Sequence, residues 1–281
     1  STAKSSRRKL QRDFEVRKRD SFRDAPMQLQ GIIPALTTPF GSDSTLAVDR
    51  LRENVAVYNR KGLSGYLAVG STGESVLLAR SEFEKVLAAV RETAAPGRIL
   101  IAGTGVDSTA ETISRTEVAA GLGYNFALVC TSYFFKSAMN AEVLLEHYRR
   151  VADASRIPIL LYSVPQFTGV AIGADLAARL AEHPNIAGMK DSSGNVDHVG
   201  TILASVPPTF QLMTGASNTA YSSMQLGAKG AILALADFLP EICVSLYNAV
   251  AAQDSRASLE LQRRILRASN RIVGALGVSG V

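Results

Sequence analysis

The chain has 281 residues, of which 47% are hydrophobic and 20% are charged, so it is long enough to bury one large core. Its formal net charge of +5 comes from residues 1–30, whereas the rest of the chain is neutral overall, and no nucleic-acid-binding motif accompanies the basic segment. Apolar runs stay well short of the ~18 residues that span a bilayer. We therefore expect a soluble protein that binds neither nucleic acid nor membrane.

Residues 1–27 form a basic N-terminal arm. Three interpretations are open: a solvated tail, a helix that docks on a neighbouring subunit, or the remnant of an organelle-targeting segment. The acidic side chains within the arm argue against a transit peptide, which is normally poor in acids, and the arm lacks the apolar core of a signal peptide. The sequence therefore favours an accessory arm.

After Pro26, short apolar runs alternate with amphipathic segments of helical length. The apolar runs are short and flanked by glycine, proline or small polar residues, which is typical of buried parallel strands. They cover residues 31–37, 65–70, 98–105, 126–130, 157–165, 185–190, 210–215 and 229–235. The predicted helices cover residues 48–62, 81–94, 109–123, 141–155, 173–184, 196–206, 218–227 and 239–253, and a last one covers 258–281. The predicted N-cap of the helix at 81–94 is Ser81, and that of the helix at 109–123 is Asp107 or Ser108.

Eight strands that alternate with eight helices predict an α/β protein with a closed (β/α)8 barrel, a TIM barrel. We assign the barrel to residues 28–252 and a C-terminal helical segment to residues 253–281. A doubly wound open sheet is the alternative on pattern alone. However, no strand–GxGxxG–helix unit opens the chain, so a dinucleotide-binding domain is unsupported.

The cysteines and histidines do not form a metal-binding pattern. Cys130 and Cys243 both lie in apolar stretches, so we expect two buried free thiols rather than a disulfide. Free thiols indicate a reducing compartment, and we expect the cytoplasm, with the mitochondrial matrix as the alternative. His147, His183 and His198 are scattered, without metal-ligand spacing, and are interpreted as surface or helix-packing residues.

Active sites of (β/α)8 barrels gather at the C-terminal ends of the strands. The predicted strands are followed by polar and glycine residues at 37–38, 70–74, 131–134, 162–163, 190–193 and 214–217. Lys190 ends the apolar run "NIAGMK" and therefore either reaches solvent or is held in a pocket. Burial disfavours the charged form of an amine, and a neutral lysine amine condenses with ketones to give an imine. Tyr162, at the end of the neighbouring strand, offers a hydroxyl for proton transfer.

Four segments occur in an order that identifies a family resemblance: "PALTTPF" (34–40), "GSTGES" (70–75), "LLYSVPQFTG" (160–169) and "GMKDSSGN" (188–195). From about Gln30 to the end, the sequence resembles the dihydrodipicolinate synthase / N-acetylneuraminate lyase family of pyruvate-dependent class I aldolases. The resemblance implies that Lys190 forms a Schiff base with pyruvate or another 2-oxo acid and that Tyr162 transfers protons. The imine chemistry requires no metal and no organic cofactor. The resemblance also implies a homo-oligomer, either a dimer or a tetramer.

The resemblance implies a substrate-binding set around this lysine. Ser71 and Thr72 would hold the carboxylate of the 2-oxo acid with their amides and hydroxyls, and the turn at Gly215 would close the pocket. The full set of expected substrate-binding residues is Thr38, Ser71, Thr72, Gly73, Tyr133 and Gly215.

Three departures from the family pattern bear on the substrate and the mechanism. Phe167 stands where synthases of this family carry a carboxylate-binding arginine, and Phe134 stands where a relay tyrosine is usual. Family members also continue with helical segments after "GVSGV", with which this sequence ends, so we expect a shortened C-terminal extension.

The segments "LYSVP" and "HPNIAGMKDSSG" resemble the 4-hydroxy-2-oxoglutarate aldolase branch or 2-keto-3-deoxy acid aldolases. We therefore expect a lyase that cleaves or forms the C–C bond between pyruvate and an aldehyde, with a 4-hydroxy-2-oxo acid or a 2-keto-3-deoxy acid as substrate. The alternatives are a dihydrodipicolinate synthase-like condensation, a hydratase reaction that uses the same imine, and a non-catalytic protein that binds 2-oxo acids.

Overall fold

A computed structural model describes residues 28–281, so the predicted basic arm at residues 1–27 lies outside the described residues. Eight strands form one parallel sheet. They are β1 (Gly31–Pro34), β2 (Gly65–Ala68), β3 (Ile99–Gly103), β4 (Phe126–Cys130), β5 (Ile159–Ser163), β6 (Ile186–Asp191), β7 (Gln211–Thr214) and β8 (Gly230–Leu233). Each strand lies within one residue of a predicted apolar run, and most are shorter than the prediction because the run continues into the adjoining loop.

The sheet curves until its first and last strands meet. β1 pairs with β8 over four residues, from Gly31 with Gly230 to Pro34 with Leu233. β1 also approaches β2, through a bridge between Ala35 and Leu67. The predicted (β/α)8 barrel is therefore confirmed, and the alternative of an open doubly wound sheet is wrong.

Helices connect successive strands and cover the outside of the barrel. They are α1 (Val48–Tyr58), α2 (Arg80–Thr93), α3 (Thr109–Gly121), α4 (Ala141–Ala154), α5 (Pro165–Thr168), α6 (Ala174–Ala181), α7 (Val196–Ser205), α8 (Ala220–Gln225), α9 (Pro240–Ala251) and α10 (Ser255–Ser269). Short helical turns occupy Lys136–Ala138, Ser217–Thr219, Ala234–Asp237, Asn270–Gly274 and Gly277–Gly280.

Helix α4 illustrates how the sequence pattern produces this packing. Asn140 caps the helix, since its side chain accepts a hydrogen bond from the Val143 N–H at 3.1 Å. Leu144, Tyr148 and Val151 recur at the spacing of one helical face and are buried against the sheet. Burial of side chains of this size stabilises the fold by about 1.5–3 kcal/mol each.

The inside of the barrel is packed with side chains rather than open. Its central cluster includes Ile33, Leu67, Ile101, Leu160 and Met213, all of which are fully buried. These residues point inward from different strands, as the layers of a (β/α)8 barrel do. The polar residues at the C-terminal ends of the strands therefore lie above a packed apolar interior.

Two local predictions are wrong. Helix α2 begins at Arg80 rather than after Ser81, because the Glu82 carboxylate accepts a hydrogen bond from the Ala79 N–H at 2.8 Å and so satisfies the helix start. The last helix was expected to run to the end of the chain, but α10 ends at Ser269 and is followed by two short turns. By contrast, Ser108 caps α3 as predicted, since its hydroxyl accepts a hydrogen bond from Glu111 N–H at 3.3 Å.

The described residues 28–281 contain no helix with the length and apolar character needed to cross a bilayer. Over the same residues, no group of three or more potential ligand side chains is placed to hold a metal ion.

His147 is a helix-packing residue whose burial has a consequence for stability. It lies on α4 with 6% of its surface exposed, and its Nδ1 is 2.9 Å from the Thr109 hydroxyl. Its Nε2 is buried without a hydrogen-bond partner among the described residues. Desolvation therefore lowers the pKa of His147 to about 4, because the imidazolium is disfavoured in this environment.

We expect His147 to destabilise the fold as the pH falls. The unfolded chain takes up the proton near the ordinary pKa of 6.5, whereas the folded chain resists it down to about 4. This difference removes up to about 3 kcal/mol from the free energy of unfolding over that interval. Urea unfolding of His147→Asn between pH 7 and pH 4 should show a correspondingly shallower decline than the unsubstituted protein. His183→Asn, at a more exposed site, is the matched control, and an unchanged slope in His147→Asn would contradict the prediction.

Candidate active site

Lys190 and Tyr162 are brought together by the register of two neighbouring strands. β5 and β6 pair so that Tyr162 lies opposite Lys190, and side chains in register on parallel strands point to the same side. Both side chains are buried, and Lys190 is only 4% exposed. The Lys190 Nζ lies 3.4 Å from the Tyr162 hydroxyl and 4.4 Å from the centre of its ring. The lysine is therefore held in a pocket and does not reach solvent.

The turn after β2 lies beside this pair. The Ser71 hydroxyl is 3.3 Å from the Tyr162 hydroxyl, which links the turn to Lys190 through one phenol. No main-chain hydrogen bond from Ser71 N–H or Thr72 N–H is formed within the part of the chain that the structure describes. Consecutive free N–H groups of this kind form a concavity suited to an anion.

The backbone of this turn is strained at its start. Val69 has a φ of 56° although it is β-branched, a conformation that costs of order 1–3 kcal/mol. Its side chain is buried, which holds the backbone in place. Strain of this type is concentrated at functional sites, where the surrounding packing enforces it.

Thr38 and Gly73 support the turn from behind. The Thr38 hydroxyl donates a hydrogen bond of 2.7 Å to the Gly73 carbonyl, and neither residue lines the two cavities of the site. A side chain at position 73 would approach the Leu36 carbonyl to 2.9 Å, so glycine is required for this close approach. The contact of Thr38 and Gly73 with substrate stays a prediction. The structure shows only their hydrogen bond to each other.

Gly215, directly after β7, leaves the space in which the lysine side chain lies. A Cβ atom at position 215 would overlap the Ser192 hydroxyl and come within 2.8 Å of Lys190 Cε. The Gly215 N–H also donates to the Asp191 carbonyl at 2.6 Å, which fixes β7 to the end of β6.

Two cavities with partly shared lining adjoin Tyr162. The smaller, of about 120 Å³, is lined by Lys190, Thr72, Gly215 and Ser192. The larger, of about 390 Å³, contains Tyr133. Ser71, Tyr162, Val164, Phe167 and Val278 line both. Six of the eight predicted site residues therefore line these cavities, and Thr38 and Gly73 stand behind them.

Cys130 differs from the prediction of two fully buried thiols. Cys243 is buried, but Cys130 is partly exposed and lines the larger cavity. Cys130 ends β4, and its place opposite Tyr162 turns it toward the site. Its surroundings remain poorly solvated, which raises the pKa of this thiol to about 11.

Asp107 supports the site from outside the cavities, a role that its predicted position as a helix cap does not reveal. One carboxylate oxygen of Asp107 accepts hydrogen bonds from the N–H groups of Tyr133 at 2.7 Å and Phe134 at 3.1 Å. These contacts fix the loop that carries Tyr133 into the larger cavity. Phe134 itself is 73% exposed and packs edge-on against Phe135, with ring centres 5.0 Å apart.

A buried carboxylate adjoins Lys190 in the chain. Asp191 is 1% exposed, and one of its oxygens accepts a hydrogen bond of 2.6 Å from the Ser193 hydroxyl. Its other oxygen has no hydrogen-bond partner among the described residues and lies 3.7 Å from Nε2 of His198. Burial raises the pKa of Asp191, while the Ser193 hydrogen bond and His198 act in the opposite direction. Asp191 could be recognised as a candidate site residue from the sequence because it stands at the end of a predicted strand.

Comparisons with known proteins give a consistent result. A profile of the family described as "Dihydrodipicolinate synthetase family" matches residues 28–281. A 4-hydroxy-tetrahydrodipicolinate synthase of Methanothrix thermoacetophila is 36% identical over 237 residues, which are 84% of this chain and 79% of the relative.

Solved structures agree. The dihydrodipicolinate synthase of Acinetobacter baumannii, solved with pyruvate, has a TM-score of 0.84 and 33% identity and covers 88% of this chain and 84% of its own. YagE, a prophage protein of the same family from E. coli K12, also solved with pyruvate, has a TM-score of 0.83 and 26% identity over 86% of this chain and 82% of its own.

We expect Gly215→Ala to displace Lys190 without unfolding the barrel. The added methyl group would occupy the space of the Ser192 hydroxyl and press on Lys190 Cε. A misplacement of about 1 Å can reduce the rate of a positioned reaction ~10²-fold. Reductive trapping of Lys190 with pyruvate and borohydride, followed by mass spectrometry, should therefore fall at least tenfold.

Gly173→Ala is the matched control, because a Cβ at position 173 meets no atom within 4 Å and the backbone there has an ordinary φ of −75°. Its trapping should equal that of the unsubstituted protein. Full trapping in a folded Gly215→Ala variant would show that Lys190 does not depend on this space.

Proposed function

We propose, from the premise that the chain belongs to the dihydrodipicolinate synthetase family, that it cleaves or forms the C–C bond between pyruvate and an aldehyde in a 4-hydroxy-2-oxo acid or a 2-keto-3-deoxy acid. The family consists of class I pyruvate-dependent Schiff-base lyases and synthases, and this chain is such an enzyme. The choice of substrate is our inference, since the relatives matched are named as synthases. The observation that carries the proposal is the buried Lys190 amine, 3.4 Å from the Tyr162 hydroxyl.

In the first step, the neutral Lys190 amine attacks the C2 carbonyl of the substrate, and loss of water gives a protonated imine. The free N–H groups of Ser71 and Thr72 bind the C1 carboxylate, which places C2 beside the amine. Two distances support this step. The Tyr162 hydroxyl lies 3.3 Å from the Ser71 hydroxyl and 3.4 Å from Lys190 Nζ.

In the second step, the imine accepts the electron pair of the breaking C3–C4 bond. A base removes the proton of the C4 hydroxyl, the aldehyde leaves, and the electron pair forms the C2–C3 double bond of an enamine. Tyr162, hydrogen-bonded to Ser71, is the group placed to carry this proton. Protonation of C3 and hydrolysis of the imine then release pyruvate and the free amine, and condensation takes the same steps in reverse.

The second candidate function is a dihydrodipicolinate synthase-like condensation, and the names of the matched relatives favour it. The lining of the larger cavity argues against it, because it includes Phe167 where the family resemblance implies a carboxylate-binding arginine. The hydratase alternative uses the same imine, whereas the non-catalytic alternative only binds the 2-oxo acid. Measurement of aldehyde release separates both from cleavage.

We further propose that the protein is a homo-oligomer, a dimer or a tetramer. Exposed apolar side chains support an interface, since Val76, Leu77, Phe134 and Phe135 are each about 70% exposed in the isolated chain. Light scattering at micromolar concentration should give a multiple of the 29.9 kDa chain mass. Phe135→Glu should shift the population toward the monomer, whereas Leu226→Glu, at an exposed position before β8, should not. A monomer at all concentrations would contradict the proposal.

We expect borohydride, added with pyruvate, to attach a stable three-carbon group to Lys190. The buried amine forms the imine, and hydride reduces it to a secondary amine that peptide mass spectrometry can map. Lys190→Arg should abolish both the adduct and turnover, because arginine cannot form the imine. Lys229→Arg is the matched control, since Lys229 is exposed in the loop before β8. An adduct on another lysine, or none at all, would remove the proposed mechanism.

Tyr162→Phe separates imine formation from proton transfer. This variant keeps the ring against Lys190 and loses only the hydroxyl, so pyruvate trapping should persist while kcat for cleavage falls by about 10²-fold.

A further inference from the structure

We infer that Gln262, on the outer helix α10, is a positioning residue for the chemistry of Lys190. It acts through the β7 loop (residues 215–219), which follows β7 and adjoins the lysine side chain. The inference rests on the proposed function, since it concerns the lysine that forms the imine. It is carried by the hydrogen bonds between α10 and the β7 loop.

The buried face of α10 is mostly polar. The buried residues of this helix are Ser258, Gln262, Ile265 and Ser269, and three of the four carry polar side chains. Their spacing of three or four residues places them on one side of the helix. A helix that only covered the barrel would bury an apolar stripe at such positions. Because buried polar groups need hydrogen-bond partners, this face is specified by particular contacts rather than by apolar packing alone.

The Gln262 side-chain amide binds three main-chain groups at the end of the β7 loop and the start of α8. Its Nε2 donates hydrogen bonds to the carbonyls of Ser217 at 3.0 Å and Asn218 at 3.2 Å. Its Oε1 accepts a hydrogen bond of 2.9 Å from the N–H of Tyr221, which lies in the first turn of α8, where N–H groups lack partners within the helix. Gln262 is only 8% exposed, so water competes little for these bonds.

A second contact of α10 reinforces this attachment. The Ser217 and Ser269 hydroxyls lie 2.7 Å apart, and both residues are buried. Ser269 follows Gln262 by two helical turns, so both residues grip the β7 loop from one face of α10. At its other end the loop is held to β6, since the Gly215 N–H donates to the Asp191 carbonyl. The loop is therefore anchored on both sides of the stretch that adjoins the lysine.

The β7 loop forms a wall beside the amine. A Cβ atom at Gly215 would come within 2.8 Å of Lys190 Cε, so the main chain of the loop leaves little space beside that carbon. The Asn218 side chain lies 3.6 Å from the place of a Cβ at Gly194, which ties the loop to the one that follows β6. A shift of this wall by about 1 Å would change where the amine meets a ketone, and such misplacements reduce positioned reactions ~10²-fold.

The test is the rate at which borohydride traps pyruvate on Lys190, measured over a range of pyruvate concentrations well below the melting temperature of each variant. Gln262→Met keeps a side chain of similar length and removes all three hydrogen bonds. We expect its maximal trapping rate to fall at least tenfold. The pyruvate concentration that gives half of the maximal rate should change less than threefold, because Ser71 and Thr72, on the opposite strand end, bind the carboxylate.

Ser258→Ala is the matched control. Ser258 lies on the same buried face of α10, but its hydroxyl donates to the Asp254 carbonyl of its own helix at 2.7 Å and not to the β7 loop. Thermal unfolding should show a lower melting temperature for both variants, whereas trapping on the folded protein should fall only in Gln262→Met. A merely structural role of Gln262 would lower the melting temperature and leave its trapping rate unchanged.

Two results would overturn the inference and leave the imine mechanism standing: full trapping in folded Gln262→Met, or an equal loss of trapping in Ser258→Ala. If Gln262→Met does not fold, Ser269→Ala takes its place, because it removes only the contact with Ser217. Its maximal trapping rate should fall at least threefold, and an unchanged rate would overturn the inference. Absence of an adduct on Lys190 in the unsubstituted protein would overturn the proposed function and, with it, this inference.

Discussion

The register between β5 and β6 is the constraint on which the site depends. Tyr162 and Lys190 are partners across this ladder, and the main-chain hydrogen bonds between the strands, rather than a contact between flexible side chains, set their separation. A slip of one residue would turn Lys190 to the outer face of the barrel, where helices pack. The apolar side chains below and the Gly215 turn beside the lysine then define a cavity of about 120 Å³ around it.

Burial and a phenol as hydrogen-bond partner distinguish this lysine from a surface lysine. Its hydrogen-bond partner is the Tyr162 phenol, whereas Asp191, next to it in the chain, directs its oxygens to Ser193 and His198. The alternation of side chains along β6 thus places Lys190 and Asp191 on opposite sides of the sheet.

Much of the barrel and the main site residues could be predicted from the sequence, and the reasons are local. The apolar runs are bounded by glycine, proline or small polar residues, so they predict the start of every strand to within two residues. Lys190 and Tyr162 are recognisable because both lie at or near the C-terminal end of a predicted strand. The features that could not be predicted depend on contacts between distant segments. Asp107 binds main-chain N–H groups 26 and 27 residues away, which a motif does not reveal. The start of α2 differs from the prediction because the Glu82 carboxylate accepts a hydrogen bond from the Ala79 N–H, whereas Ser81 caps no helix within residues 28–281.

The closure of the barrel has a consequence for its motion. The seam between β1 and β2 is held by the bridge at Ala35 and Leu67, with hydrogen bonds from Ser64 N–H to the Ile32 carbonyl and from Leu36 N–H to the Leu67 carbonyl, whereas β5 and β6 pair over five residues. Fewer hydrogen bonds must break for β1 and β2 to separate than for β5 and β6, so we expect the amides at the β1–β2 seam to exchange with solvent faster than those between β5 and β6. The Ser71 turn follows β2 and therefore adjoins this seam, whereas Lys190 belongs to β6, within the more extensively paired part of the sheet.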